Sequence, residues 1–250
     1  MRVLVVTAVT AERDAVAAAA GPCDEVALPG GYALLRAAGT PVACDVLAAG
    51  VGPAAAAAGT ATALTAAALA GAPYGLVVSA GIGGGFVPGP GGSPPGAPLG
   101  SVVVADAIVA ADLGAETPDG FAPVTELGFG TVAHRPDPAL VEAVATAAGA
   151  AAGTVVTVST VTGSAARATE LAARHPGVLA EAMEGFGVAE AAAAHRVPVL
   201  EVRTISNAVG PRDRGAWRIG SALTALTGAF RALPGALTAA TGPAPDLHRP

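Results

Sequence analysis

Hydrophobic positions along the chain fall into short continuous runs, separated by alanine-rich stretches of helix length. Continuous apolar runs belong to strands buried on both faces, and their alternation with helices predicts an α/β fold around a largely buried sheet. The pattern predicts strands over 2–9, 31–38, 42–49, 74–80, 101–109, 154–159, 178–182 and 198–205. Helices are expected over 11–20, 54–71, 138–149, 164–175, 184–196 and 216–232. Two stretches break the pattern. "VPGPGGSPPGAPLG", residues 87–100, holds too much Pro and Gly for a regular element, and the segment from Pro234 to Pro250 reads likewise as a disordered tail. The expected organisation is one domain over 1–233, with 87–100 as a loop insertion.

Composition narrows the partners. The chain has 250 residues, of which 52% are hydrophobic, enough for one sizeable core. A net charge of −6 gives no electrostatic footprint for nucleic acid or an anionic membrane surface, so a small uncharged or anionic molecule is the default partner. Cys23 and Cys44 form no CxxC pair and have no His at ligand spacing, which points to neither a metal site nor a disulfide framework. A reduced, cytoplasmic protein without a signal peptide is expected, because Glu12, Arg13 and Asp14 follow at once on the first apolar run. No charge occurs between 46 and 105, yet "PAAAAAGTATALTAAALAGA" is mostly Ala, Thr and Gly and inserts poorly into a bilayer. That stretch is expected to pack as a helix in a subunit interface, making the protein a homodimer or higher homo-oligomer.

In an open α/β sheet, ligands bind outside the carboxyl ends of the strands. Those ends carry Glu12 and Arg13, then "SAGIGGG" with Gly81 and Ile82, "STVTG" with Val161, "AMEG" with Met183 and Glu184, and finally Ser206 and Asn207 after Arg203. Each residue has a structural reading as well. Glu12 and Glu184 fall in the first turn of expected helices, where a carboxylate complements the macrodipole. Arg203 inside a strand is expected to pair with an acid, and Asn207 suits a turn. Their coincidence at one sheet edge is what favours a site.

"GVGPAA" at 50–55 and "GIGGGF" at 81–86 resemble fragments of a dinucleotide fingerprint. The acid that should hold a ribose about 20 residues further on is missing. Both segments are therefore expected to be tight turns that admit a small ligand to the backbone, and no cofactor is expected.

The ordered set "VVTAVTAERDA", "AAGVGPAAAA", "VVSAGIGGGF", "AMEGFGVAEAA" and "VRTISNAVG", spread over about residues 1–231, resembles the nucleoside phosphorylase and nucleosidase superfamily. The likeness is to its hydrolase branch, which includes methylthioadenosine/S-adenosylhomocysteine nucleosidase. Within that branch, "SNAVGPRDR" followed by Trp217 is most similar to the futalosine hydrolases, which release hypoxanthine from futalosine in an alternative menaquinone pathway. The resemblance implies a mixed, partly barrel-like sheet flanked by helices and a purine nucleoside as substrate.

It also implies roles. Glu12 would be the base for the attacking water, Glu184 would bind the ribose hydroxyls with Met183 beside the sugar, and Arg203 would help position the water. Backbone near Val161 would contact the base, and Asn207 stands where adenine-specific nucleosidases carry an aspartate. Ala182 stands where they carry a glutamate. An amide can serve O6 and N7 of a 6-oxopurine, which an ionised carboxylate repels. Arg212 and Arg214 would be the arginines to meet a substrate carboxylate.

Two alternatives remain at this level. A purine nucleoside phosphorylase would need a phosphate cradle, for which only Arg13 and Arg203 are at hand. A nucleoside-binding sensor would need no catalytic base.

Overall fold

The computed structural model describes residues 1–37, 42–87 and 96–240. In chain order, β1 (Arg2–Thr7) leads to α1 (Thr10–Ala20), then β2 (Cys23–Ala27), β3 (Ala33–Ala37) and β4 (Ala43–Ala48). Next come α2 (Pro53–Leu69), β5 (Leu76–Gly85), β6 (Val102–Ala110), and the short β7 (Gly114–Thr117), β8 (Gly120–Pro123) and β9 (Ala133–His134). The last third runs α3 (Pro138–Ala148), β10 (Ala151–Thr157), α4 (Ala165–Arg174), β11 (Val178–Ala182), α5 (Gly185–Ala194), β12 (Val199–Ala208) and α6 (Ile219–Ala240).

The main sheet is ordered β11-β10-β6-β12-β5-β1-β4-β3-β2, and β11 also pairs with β5. That extra pairing closes β5, β12, β6, β10 and β11 into a mixed barrel, as the resemblance implied. Strand β5 belongs to both parts. Its first half, Leu76–Ser79, runs parallel to β1 in the open sheet, and its end, Gly84 and Gly85, pairs antiparallel with β11. A strand must bend to do this, and the glycines of its second half permit it. Apolar clusters on both faces of the sheet, against α1, α3 and α6 on one side and α2 and α5 on the other, make the core.

The expected strands and helices are all present within a few residues. Two expectations need correction. "SAGIGGG" is strand, not a tight turn: none of Gly81, Gly83, Gly84 and Gly85 has a positive φ. At "GVGP" the turn expectation holds, with Gly50 at φ 104° and Gly52 at φ 92°. The chain also stays helical past Pro234 to Ala240, because Ala236 and Leu237 bury against the α3 and α6 cluster and repay the hydrogen bond that proline forfeits. Residues 241–250, and 88–95 of the Pro/Gly loop, lie outside the described residues.

At the amino-terminal edge of this sheet sits a closed polar knot. Asp45, 1% exposed on β4, accepts from Arg2 Nη2 at 2.7 Å, from Arg36 Nη2 at 3.0 Å and from the Tyr74 hydroxyl at 2.6 Å. Arg2 also donates to the carbonyl of Ala72 and lies over the Tyr74 ring, 4.6 Å from its centroid. Burial first, and then the bond to Asp45, push the Tyr74 hydroxyl pKa up. Each oxygen of this carboxylate has a donor.

Candidate active site

The carboxyl edge of the same sheet is built around the second half of β5. Gly81 pairs with Arg203 on β12, and Gly84 pairs with both Asn207 on β12 and Glu181 on β11. The three-residue step from Gly81 to Gly84 is roughly 10 Å at strand rise, about the length of a nucleoside. Ser206 is an extra residue in β12, where the register slips between Ile205 and Asn207. Such a bulge re-aims the side chains beside it.

At the Gly81 end, one arginine meets three acids. Arg203 is 0% exposed, and its Nε donates to Glu201 Oε1 at 2.8 Å while Nη2 donates to Ser79 Oγ at 2.9 Å. Nη1 lies 3.3 Å from Glu184 Oε2 without hydrogen-bond geometry, and it has no acceptor. The second oxygen of Glu201 is also without a donor. Burial works against the Arg203 charge, but Glu201, Glu184 and Glu12 outweigh it and raise the guanidinium pKa. Burial likewise raises the Glu201 carboxyl, against the pull of Arg203.

Glu12 uses its two oxygens differently. Its Oε2 accepts from Ala8 N at 3.0 Å and Val9 N at 3.2 Å, which caps the start of α1. Its Oε1 reaches across to accept from Ile82 N at 2.9 Å. A Cβ on Gly81 would stand 2.6 Å from that same oxygen and 2.8 Å from Arg203 Nη1, so only glycine leaves the two groups their shared space. Glu184 departs from its structural reading. Although it opens α5, its side chain caps nothing there and instead accepts from Gly52 N at 3.1 Å, in the "GVGP" turn.

The Gly84 end carries amide and backbone groups. Asn207 is half-buried, its Nδ2 donates to the carbonyl of Ala208 at 3.0 Å, and its Oδ1 lies 2.8 Å from the Ser206 hydroxyl. Ser206 Oγ is also 3.3 Å from the Gly83 carbonyl, and with a single proton it serves the closer amide oxygen. This fixes the amide and leaves one N–H of Nδ2 unused.

Facing it, the loop after β10 is pinned at three points. Val158 N donates to the carbonyl of Ala182 at 3.0 Å, Ser159 N to Asp112 Oδ2 at 2.6 Å, and Thr162 N to Glu181 Oε1 at 2.9 Å. Val161, 40% exposed, rides between the pins. Burial raises the Glu181 carboxyl, partly offset by its two bonds from Thr162. Met183 is half-buried where β11 gives way to α5.

Glu201, Glu181 and Ser79 escaped sequence reasoning. The signal for Glu201 was its position two residues before Arg203 on an otherwise apolar strand, which puts both on one face. Glu181 was masked by its neighbour: Ala182 turns into an apolar cluster with Ile205 and Phe186, while Glu181 faces the opposite way. The two arginines beyond Asn207 separate. Arg212 lies over the Trp217 ring, 5.4 Å from its centroid, and its Cγ would be 4.0 Å from a Cβ on Gly163. Arg214 lies in a short 3-10 turn, and both side chains are exposed. A cleft of about 380 Å³ beside α3, lined by Asp106 and Glu142, and another of about 350 Å³ beside Arg2 and Arg36, contain none of these site residues. Among the described residues no group of His, Cys, Asp or Glu could hold a metal.

The model of the phosphorylase superfamily matches residues 4–232. A futalosine hydrolase of Streptomyces coelicolor is 66% identical, over 92% of this chain and 93% of that protein. The chain belongs to the futalosine hydrolase family of that superfamily. A second futalosine hydrolase, from Acidothermus cellulolyticus, is 48% identical over 92% of this chain and 89% of its own length. Solved structures extend the fold of this family further. A methylthioadenosine/S-adenosylhomocysteine nucleosidase from Colwellia psychrerythraea in complex with adenine matches with a TM-score of 0.78 at 19% identity, covering 95% of this chain and 96% of that one. A futalosine hydrolase mutant of Helicobacter pylori matches with a TM-score of 0.77 at 16% identity, covering 94% and 99%. No helix among the described residues is long and apolar enough to cross a membrane.

Proposed function

We propose that this chain hydrolyses the N-glycosidic bond of futalosine, releasing hypoxanthine as a step of the alternative menaquinone pathway. The observation that carries the choice of water over phosphate is the charge balance at Gly81. Three carboxylates, Glu12, Glu184 and Glu201, surround a single arginine there, and Arg203 is already bonded to Glu201. Arg13, the other candidate for a phosphate cradle, pairs with Asp14. A phosphate dianion would meet net repulsion in such a centre, whereas a ribosyl cation is stabilised by it.

In this reading Glu184 takes the ribose hydroxyls and Met183 packs beside the sugar. Arg203 Nη1 and Glu12 hold the water against Gly81. Glu12 accepts one proton as the water oxygen bonds to C1′ and the bond to N9 breaks, a role for general bases that contributes about 10²- to 10⁴-fold. The free N–H of Asn207, held by Ser206, meets N7 and O6 of the departing base, and backbone at Val161 and Ile82 lines the remaining walls. An amide stabilises the developing negative charge without giving up a proton, so hypoxanthine takes its proton from solvent. Arg212, stacked on Trp217 and facing the Gly163 loop, suits the substrate benzoate better than Arg214 in its 3-10 turn. Exposed Val51 and Leu69, at the two ends of the helix in this charge-free stretch, fit a homo-oligomer.

The test is release of free base in buffers with and without phosphate. Hypoxanthine should appear from futalosine at the same rate in both. Release that depends on phosphate, with ribose 1-phosphate chemistry, would make the protein a phosphorylase. Tight nucleoside binding with no release would make it a sensor.

A further inference from the structure

Arg203 has more acids beside it than it can serve, and the structure shows which one it serves. A guanidinium next to an open carboxylate prefers a two-point fork, with two parallel N–H bonds. Arg203 makes no such fork with Glu184 or with Glu12. Its Nε is taken by Glu201 at 2.8 Å and its Nη2 by Ser79 at 2.9 Å, which fixes the plane of the group and leaves Nη1 unbonded. The unbonded nitrogen is the one beside Gly81, where a Cβ would touch both it and Glu12.

Glu201 itself is 0% exposed, and the atoms nearest to a Cβ on Gly81 belong to Glu12 and Arg203 instead. Its second oxygen has no donor, and a Cβ on Gly185 would come within 2.2 Å of it. Gly185 is the first residue of α5, so the unpaired oxygen rests against the positive end of that helix, directly behind Glu184. A buried carboxylate seated at such cost, one residue behind the sugar-binding acid, calls for a purpose beyond neutralising one charge. Glu184 and Glu12 could have neutralised Arg203 without it.

We propose that Glu201 is a positioning residue, which holds Arg203 by Nε so that Nη1 is presented to the water while Glu184 and Glu12 stay free for sugar and proton. It acts as an internal competitor. Without it, Arg203 folds onto one of the two working carboxylates. The inference rests on the hydrolase reading above and deepens it.

The experiment is a double-mutant cycle on the full chain, measuring kcat and KM for hypoxanthine release from futalosine together with the melting temperature of each variant. Glu201→Leu is expected to cut kcat about 10²-fold with KM nearly unchanged, the cost of a group displaced by an ångström or so. Glu201→Gln keeps an oxygen for Nε and is expected to recover most of that loss. Combining either change with Arg203→Met should cost no more than Arg203→Met alone, because the effect of Glu201 passes through Arg203. Should Glu201→Leu fail to fold, the cycle is run with Glu201→Ala, which also takes the acceptor away from Arg203 Nε. A folded Glu201→Leu or Glu201→Ala variant with wild-type kcat, or losses that multiply in the double variant, overturns the proposal and leaves the hydrolase reading standing. A wild type that releases no base from any purine nucleoside overturns both.

Discussion

The two ends of the central sheet each bury acids with arginine, and they solve the problem in opposite ways. At the amino-terminal edge two arginines and a tyrosine converge on Asp45, and its carboxylate is fully engaged. At the carboxyl edge three carboxylates share Arg203, with Glu201 Oε2 and Arg203 Nη1 left unpaired. Unpaired buried polar atoms are costly, and although Arg174, His175 and Thr204 carry others, Arg203 Nη1 is the one beside Gly81, where a ligand completes the bonding. The knot at Asp45 has nothing left to offer a ligand, and its contribution is to stability.

Substitutions separate the two ends. Glu12→Gln should give the largest effect, a loss of about 10²- to 10⁴-fold in turnover with hypoxanthine still bound, read by steady-state kinetics and calorimetry. Asp45→Ala comes next. It leaves Tyr74 buried and Arg2 half-buried without this acceptor and should cost about 3 kcal/mol of unfolding free energy by denaturant titration, while the folded fraction keeps its kcat. Tyr74→Phe removes one bond to the same carboxylate and should cost about 1.5–3 kcal/mol, again without touching catalysis. Arg212→Ala should reduce kcat/KM for futalosine roughly tenfold relative to inosine, the value of one charge-assisted bond, and Arg214→Ala should leave that ratio alone. Arg36→Ala should cost under about 1 kcal/mol, because its side chain is 44% exposed and solvent screens the pair. Stability loss at Glu12 with kcat intact, or the reverse at Asp45, would erase the distinction.

Sequence made the strand ends legible because apolar runs and the polar residues that stop them are local features. Glu12, Glu184 and Asn207 stand at such stops and Arg203 lies inside its strand, and the structure brings all four to one edge along β5. What escaped depended on contacts between distant segments. The glycines of β5 read as a turn because glycine usually marks one, yet Gly81 is glycine because Glu12 and Arg203 crowd it from two other elements. Glu181 lies inside an apolar strand, where periodicity cannot tell a misplaced charge from a partner to a residue 19 positions away, and Glu201, although only two positions from Arg203, takes its place behind Glu184 from the packing of β12 against α5. Pro234 read as the end of the last helix, and burial of Leu237 beyond it carries the helix on.

The most direct test is a crystal structure with an iminoribitol inhibitor that carries a 6-oxopurine and mimics the ribosyl cation. The account predicts its hydroxyls on Glu184, its cationic ring facing Glu12 and Arg203 Nη1, and its purine against Asn207. An inhibitor seated elsewhere, such as the cleft lined by Asp106 and Glu142, with the carboxyl edge of the sheet left empty, would contradict it.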